Sequence, residues 1–398
     1  MISTNEQEVI LTNEQEKALK IILNKHKNHE KYVTICGYAG VGKSTLVKFA
    51  VKALDVAEDR VAYACFCGKA AEVLRKKGNK NAMTLHRLLY DSRPKKGGGF
   101  YRTPKSHLEY DVVIVDEISL APRSMIELLL SHKVFCIFIG DSFQLPQIDK
   151  NEAHDYLDHP DVFLSKIMRQ AEESEIIRLT MKIRNKEPIL YSKGNEVLIL
   201  PKEEFSTSHL LWADSVICGT NATRHSLNQQ MRELHGFSGD LQEGEKVICK
   251  RNYWEDLDEN GDALVNGTIG KISNISEDYI TIPGYIENDR HRIPILRGDI
   301  ISETDGTFMS VNIDKDFLIN EAPCVEWRVA YQMGKARLGD LLPRQITYGY
   351  SLTAHASQGS EWDKVLVVEE RFPYDKTEHA RWLYTAATRA SEKLVIVR

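Results

Sequence analysis

The sequence predicts an α/β protein with two parallel-sheet domains, a small β domain inserted in the second and a short hairpin or loop inserted in the first. Apolar, strand-like runs alternate with helical patterns in both halves of the chain and end in polar residues. Between about residues 239 and 328, short β-like runs and turn formers replace the helical pattern. At 398 residues, the chain is also too long for one ordinary core.

The composition is typical of a reduced, intracellular globular protein. It is 42% apolar and 27% charged, and no apolar run approaches the ~20 residues that a membrane span needs. The seven cysteines are odd in number and scattered, which favours buried thiols over disulfides or a metal site. We therefore expect a cytoplasmic protein that does not bind membranes.

A glycine-rich loop follows the first apolar run, 32–36, and precedes an amphipathic helical pattern that begins at Leu46. Its residues are Gly37, Tyr38, Ala39, Gly40, Val41, Gly42, Lys43, Ser44 and Thr45. The glycines allow backbone N–H groups to converge on a polyphosphate, and the N-terminus of the following helix points at the same place. This order of strand, loop and helix predicts a nucleoside triphosphate site, with Lys43 at the β/γ-phosphates and Ser44 binding Mg²⁺.

Polar residues end two further apolar runs. Asp116 and Glu117 follow the run 111–115, where a Walker B pair would hold Mg²⁺ with the first acid and polarise the attacking water with the second. Gln144 follows the run 134–139 and is a candidate γ-phosphate sensor. Phosphoryl transfer also needs cations beyond the loop lysine, and Arg169 and Arg389 are the candidates.

One segment of this acidic chain is strongly basic. Residues 66–107 contain eleven Lys or Arg and two acids, whereas the whole chain has a net charge of −5. The excess favours a nucleic-acid surface over an ordinary solvated face. Within the segment, Pro94 and three consecutive glycines exclude a helix interior and predict a protruding loop or hairpin near Phe100 and Tyr101.

Taken together, these motifs resemble those of the superfamily-1 helicases of the RecD/Dda-like branch. The resemblance runs through almost the whole chain, and the motifs occur in the family's order. Besides the residues above, it rests on the stretches 11–15, 68–71, 84–86, 168–170, 353–361 and 385–390.

The resemblance implies two RecA-like domains, with ATP and Mg²⁺ in the cleft between them and single-stranded DNA across both. Domain 1A would span 1–165, with a strand-separating pin, domain 1B, at about 87–107. Domain 2A would span 166–238 and 336–398, with an SH3-like domain 2B at 239–335. Travel along the strand would be 5′ to 3′, and the protein would act as a monomer in a bacterial or phage-infected cell, with replication or recombination proteins as possible partners.

The resemblance also assigns residues to each ligand. For the nucleotide they are Gln15 at the adenine, Arg169 and Arg389 at the γ-phosphate, and Glu361 at the ribose. For DNA they are Lys69, Thr84, His86, Thr353 and His355. Phe100 and Tyr101 would either form a wedge at the duplex junction or anchor the loop onto its own domain.

Two other functions remain open at this point. The first is a DNA-stimulated ATPase that translocates without unwinding and serves a nuclease or recombination partner. The second is a small-molecule kinase with the same phosphate loop, which would leave the basic segment and Arg169 unexplained.

Overall fold

The computed structural model describes residues 11–76, 78–94, 100–146, 149–168, 173–259, 261–283, 290–303, 306–322, 343–371 and 373–398. Two of the predictions above lie outside these residues, namely those for Arg169 and for the glycine-rich tip at 95–99. Among the described residues, no helix combines the length and the apolar character that crossing a membrane would require.

The first unit is a parallel sheet flanked by helices. In chain order its elements are α1 (Asn13–Lys27), β1 (Tyr32–Gly37), α2 (Lys43–Ala53), β2 (Val61–Cys65), α3 (Gly68–Lys76), β3 (Ala82–Thr84), α4 (Leu85–Leu89), β4 (Tyr90–Pro94), β5 (Phe100–Pro104), β6 (Val112–Val115), α5 (Arg123–Leu130), β7 (Phe135–Gly140) and β8 (Val162–Leu164). Six strands pair in parallel in the order β3-β2-β6-β7-β1-β8. Strands β1, β6 and β7 are apolar and almost fully buried because helices pack on both faces of the sheet.

The predicted hairpin forms between α4 and β6. Strands β4 and β5 pair antiparallel, from Tyr90 opposite Pro104 to Pro94 opposite Phe100. The strands are described but the side chains of Phe100 and Tyr101 are not, so their role at a duplex junction stays a prediction.

The second unit is also a parallel sheet, and the insert interrupts it. The remaining elements are α6 (Glu175–Arg184), β9 (Ser192–Lys193), β10 (Val197–Leu200), α7 (Thr207–Trp212), β11 (Ser215–Cys218), α8 (Asn221–Leu234), β12 (Lys246–Cys249), β13 (Tyr253–Leu257), β14 (Ala263–Leu264), β15 (Ile269–Pro283), β16 (Arg290–Ser302), β17 (Thr307–Asp314), α9 (Lys315–Asn320), β18 (Ile346–Tyr348), β19 (Ser351–Thr353), β20 (Trp362–Val368), α10 (Lys376–Ala387) and β21 (Ala390–Val397). The sheet order is β19-β11-β20-β21-β10-β9, and only the pairing of β9 with β10 is antiparallel. The predicted α/β fold class, with two parallel sheets, is confirmed.

The insert is an antiparallel sheet of five strands in the order β17-β16-β15-β12-β18, with β13 and β14 forming a separate pair. Its SH3-like character stays a prediction. One boundary differs from the sequence prediction, which returned the chain to the second parallel sheet before residue 346. Strand β18 instead pairs with β12 at the edge of the insert's sheet, and the chain rejoins the parallel sheet at Ser351.

Candidate functional site

The phosphate loop, residues 37–45, joins β1 to α2. Gly40 and Gly42 both have φ of +77°, a conformation that favours glycine. A Cβ atom on Gly42 would also lie 2.6 Å from Nε2 of Gln15. The Lys43 ammonium donates to the carbonyl oxygens of Gly37 at 2.7 Å and Tyr38 at 2.9 Å, so it lies against the phosphate loop.

Gln15 lies against this loop and is fully buried. Its Nε2 donates to the Gly42 carbonyl at 3.3 Å, and its Oε1 accepts from the Thr12 amide at 3.0 Å in the capping box of α1. Met168 passes beside the same loop, since its amide donates to the Gly40 carbonyl at 3.1 Å. The structure therefore brings Gln15 to the loop, while its contact with an adenine stays a proposal.

Asp116 and Glu117 follow β6, two strands away from β1 in the sheet. Because parallel strands present their carboxyl ends at one edge, both acids lie on the same edge as the phosphate loop. The Glu117 amide donates to the Asp116 Oδ1 at 2.9 Å, and Glu117 has φ of +50°. Its Oε2 is buried without a hydrogen-bond partner among the described residues, which suits a carboxylate that binds a reactant water.

The oxygen atoms available here suit Mg²⁺. Ser44 provides a hydroxyl and Asp116 a carboxylate, and Mg²⁺ commonly takes one or two such ligands together with phosphate oxygens and waters. The described part of the chain has no cluster of three or more His, Cys, Asp or Glu side chains that could hold a metal by itself. A magnesium ion at this site would therefore depend on the nucleotide for part of its coordination.

The loop after β7, residues 141–146, contacts the second unit through hydrogen bonds and is called the interface loop below. Asp141 is buried; its Oδ2 accepts from the Tyr384 hydroxyl at 2.6 Å and its Oδ1 from the Phe143 amide at 2.9 Å. Burial raises the pKa of Asp141, although the charge of Lys43 and the Tyr384 hydroxyl act in the opposite direction. The Tyr384 hydroxyl also accepts from the Ala39 amide of the phosphate loop, at 3.0 Å.

Further hydrogen bonds attach the interface loop to the second unit. The Leu145 amide donates to Thr385 Oγ1 at 3.0 Å, and Gln358 Nε2 donates to the Leu145 carbonyl at 2.8 Å. Gln144, the candidate sensor, is buried here, and its Oε1 has no hydrogen-bond partner among the described residues. The sequence prediction missed Asp141, Tyr384 and Gln358, because no local pattern reveals which side chains meet across two units.

Arg389 lies just beyond α10 and is buried. Its guanidinium donates to the carbonyl oxygens of Thr385 at 3.1 Å and Ser360 at 3.2 Å and to the Thr388 hydroxyl at 3.1 Å. All three acceptors belong to the second unit. Glu361 is exposed and follows Ser360, so the two residues assigned to the γ-phosphate and the ribose lie at the same edge of the second unit.

The residues assigned to DNA are only partly exposed. Thr84 caps α4 by accepting from the Arg87 amide at 3.2 Å, and the His86 ring lies 5.9 Å from that of Phe66. In the second unit, the Thr353 hydroxyl accepts from the Ala356 amide at 3.4 Å. Burial lowers the pKa of His355, which favours its neutral form.

Lys69 is largely buried in this structure, since its side chain is only 9% exposed. Its ammonium lies 3.4 Å from a Glu303 carboxylate oxygen of the insert and 4.2 Å from the centre of the Trp362 ring. Burial lowers its pKa and the nearby Glu303 raises it. Lys69 therefore joins three parts of the chain in this structure, and its contact with DNA stays a prediction.

Acids of the insert pair with other residues of the basic segment as well. Asp262 lies 2.6 Å from an Arg75 nitrogen and 3.1 Å from an Arg87 nitrogen. Two glycines allow close approach nearby. A Cβ on Gly68 would lie 2.4 Å from Val265 of the insert, and one on Gly359 would lie 2.4 Å from the Cys67 sulfur.

These features define a two-unit P-loop protein, in which the phosphate loop and the interface loop of one parallel-sheet unit contact a helix of the second unit. Residues 10–196 match the family described as AAA domain, and residues 348–397 match the UvrD-like helicase C-terminal domain. These two matches confirm the predicted resemblance to the superfamily-1 helicases of the RecD/Dda type.

Individual relatives agree with this assignment. The ATP-dependent RecD2 DNA helicase of Deinococcus radiodurans is 24% identical over 394 residues, covering 91% of this chain and 46% of that protein. The ATP-dependent DNA helicase Dda of phage T4 is 30% identical over 175 residues, covering 42% of this chain and 39% of that protein. The chain thus matches less than half the length of each of these two relatives.

The fold is shared with a solved structure. The crystal structure of Pif1 helicase from Bacteroides in complex with ADP-AlF3 and ssDNA has a TM-score of 0.51 and 18% identity, covering 98% of this chain and 92% of that one. At this level of identity the likeness shows the fold alone.

Proposed function

We propose that this protein is a DNA helicase that travels 5′ to 3′ along single-stranded DNA and separates duplex, driven by hydrolysis of Mg-ATP between its two parallel-sheet units. The observation that carries the proposal is the hydrogen-bonded contact of Ala39, Asp141 and Tyr384, which joins the phosphate loop, the interface loop and the second unit. A nucleotide at this junction would interact with both units, so its binding and hydrolysis would change how they pack.

The residues divide the chemistry between them. Lys43 and the loop amides bind the phosphates. Ser44 and Asp116 would hold Mg²⁺, which would supply positive charge to the phosphate oxygens. Glu117 orients and polarises the attacking water. Arg389 leaves its acceptors in the second unit and stabilises charge on the γ-phosphate when the units close. Gln144 senses the γ-phosphate, and Gln15 binds the adenine. Arg169 contacts the γ-phosphate, and Glu361 contacts the ribose.

Single-stranded DNA binds across both units, on the basic segment of the first and near Thr353 and His355 of the second. The names of the relatives support this, since two are DNA helicases and the Bacteroides Pif1 crystal contains ssDNA. The hairpin β4–β5 is the element that meets a duplex junction. The protein acts as a monomer, and its partners are other proteins of replication or recombination.

The first test is ATP turnover with and without single-stranded DNA. The proposal expects turnover to rise strongly when DNA is added, and Lys43→Ala should abolish it under both conditions. A small-molecule kinase would not respond to DNA. Turnover that is unaffected by DNA in the intact protein would contradict the proposal.

The second test uses two partial duplexes, one with a 5′ single-stranded tail and one with a 3′ tail, under single-turnover conditions. The proposal expects unwinding of the 5′-tailed substrate. Preferential unwinding of the 3′-tailed substrate would contradict the polarity. DNA-stimulated turnover without unwinding of either substrate would support the alternative, a translocase that serves a nuclease or recombination partner.

A further inference from the structure

The Tyr384 hydroxyl uses both of its hydrogen-bonding functions at the junction of the two units. It donates to Asp141 Oδ2 at 2.6 Å and accepts from the Ala39 amide at 3.0 Å. The ring is 1% exposed and packs edge-on against Phe143, with the ring centres 5.3 Å apart. Burial raises the pKa of Tyr384 well above its usual value, so the hydroxyl keeps its proton.

The Ala39 amide belongs to the phosphate loop, whose backbone N–H groups bind phosphate oxygens in proteins with this motif. An amide has one hydrogen, so Ala39 cannot fully bond a phosphate oxygen and the Tyr384 hydroxyl at once. The phosphate is the stronger acceptor because it is charged. A bound nucleotide therefore competes with Tyr384 for this donor and would win it.

Losing the Ala39 contact leaves Tyr384 attached to the first unit through Asp141. That carboxylate belongs to the interface loop, and the Gln144 amide donates to the Asp141 carbonyl at 3.2 Å. Thr385, the next residue of α10, accepts from the Leu145 amide. The same helix leads to Arg389. A change at the Tyr384 hydroxyl is thus transmitted to the sensor and to the arginine through directly bonded neighbours.

We propose that Tyr384 is a positioning residue that couples occupancy of the phosphate loop to the packing of α10 and its arginine on the first unit. Without nucleotide, its hydroxyl occupies the Ala39 donor and holds the units together. With nucleotide, the donor passes to the phosphate and α10 can move to the position in which Arg389 acts. The proposal rests on the function proposed above and assigns to it a residue outside the predicted site.

The test is Tyr384→Phe, which removes only the hydroxyl. Binding of Mg-ATP is measured without DNA in a Glu117→Gln background, where the nucleotide should persist. Removing the competing acceptor should tighten binding by roughly 2- to 10-fold, the effect of one hydrogen bond. In the Glu117 parent, the ratio of turnover with DNA to turnover without DNA should fall several-fold. A lower KM for ATP combined with a reduced DNA response is not expected from a general loss of stability.

Tyr350→Phe is the matched control. Tyr350 is also buried, and its hydroxyl accepts from the Lys246 amide at 3.2 Å, away from the phosphate loop. This variant should keep the parental ATP affinity and DNA response. If Tyr384→Phe gives the same values as Tyr350→Phe while the parent is stimulated by DNA, the inference is wrong and the proposed function stands. A parent that does not respond to DNA contradicts the proposed function, and the ATP-binding measurement still tests Tyr384.

A second variant tests the inference in case Tyr384→Phe does not fold. Asp141→Asn keeps the side-chain volume and removes the charge that strengthens the bond from the tyrosine. It should shift ATP affinity and DNA response in the same directions by smaller factors. Thermal unfolding identifies which variants are folded, and an Asp141→Asn protein with parental values for both readouts would overturn the inference.

Discussion

Replacing Asp262 with asparagine should strengthen the binding of single-stranded DNA. The Asp262 carboxylate is shared by Arg75 and Arg87, which both belong to the basic segment of the first unit. A DNA phosphate would use the same N–H donors, so DNA must displace the carboxylate before it can bind these arginines. Asparagine keeps the size of the side chain and removes its charge.

The structure sets the magnitude. The three side chains are between 30% and 59% exposed, and such solvent-exposed ion pairs contribute about 0.2–1 kcal/mol each. Two pairs that DNA no longer has to break therefore amount to about 0.4–2 kcal/mol. This corresponds to a roughly 2- to 30-fold increase in affinity. The gain should shrink as salt is added, because salt weakens exposed charge interactions.

The assay is fluorescence anisotropy of a labelled oligonucleotide over a series of salt concentrations. Asp278→Asn is the control, because Asp278 is 34% exposed and pairs with Arg297 at 2.8 Å within the insert. If Asp262→Asn binds DNA no better than this control, the carboxylate does not compete with DNA. Weaker binding by Asp262→Asn would show instead that the ion pairs hold the conformation that binds DNA.

Three further variants test the site and its support. Glu117→Gln should bind Mg-ATP normally and lose on the order of 10²- to 10⁴-fold in turnover; near-normal turnover would exclude Glu117 as the group acting on water. Arg389→Ala should also bind ATP but hydrolyse it on the order of 10³-fold more slowly with DNA present; unchanged hydrolysis would remove it from the catalytic set. Glu245→Gln should lower the free energy of unfolding by about 3–5 kcal/mol, because it leaves the buried Arg232 without its negatively charged partner, which lies 2.6 Å from Arg232 Nε. Urea unfolding measures that loss, and a change below ~1 kcal/mol would contradict the assigned burial cost.

The parts of the fold that the sequence predicts are those with a local cause. A strand buried on both faces is a continuous apolar run, so β1, β6 and β7 fall within a residue or two of the expected runs. The positions of Asp116 and Glu117, directly after β6, follow from the same pattern. The strands of the insert are harder to predict from the sequence. The sequence predicts short β-like runs there, whereas the structure has one long strand, Ile269–Pro283. A register shift between Ser273 and Ser276 in its pairing with β16 lets this strand continue through a polar stretch.

Contacts between distant segments could not be predicted. The pairing of Lys69 with Glu303 depends on where the insert lies, and neither residue has a neighbour in sequence that indicates the other. The Tyr384 hydroxyl is a similar case, because a tyrosine in an apolar helix is equally compatible with an ordinary core position. The sequence therefore predicts loops that the structure brings close together, but it does not indicate the side chains that join them.

The close packing at Gly68 and Gly359 restricts how this chain can vary during evolution. Gly359 has φ of +74° and faces Cys67, so a larger residue at position 359 or at position 67 would push the two units apart. Gly68 has no such backbone requirement, and within the described part of the chain only Val265 of the insert confines it. An alanine at 68 would become acceptable if residue 265 became smaller, whereas no change at 67 would relieve the backbone strain of a side chain at 359. Among descendants of this sequence, positions 68 and 265 should therefore change together, and position 359 should remain glycine.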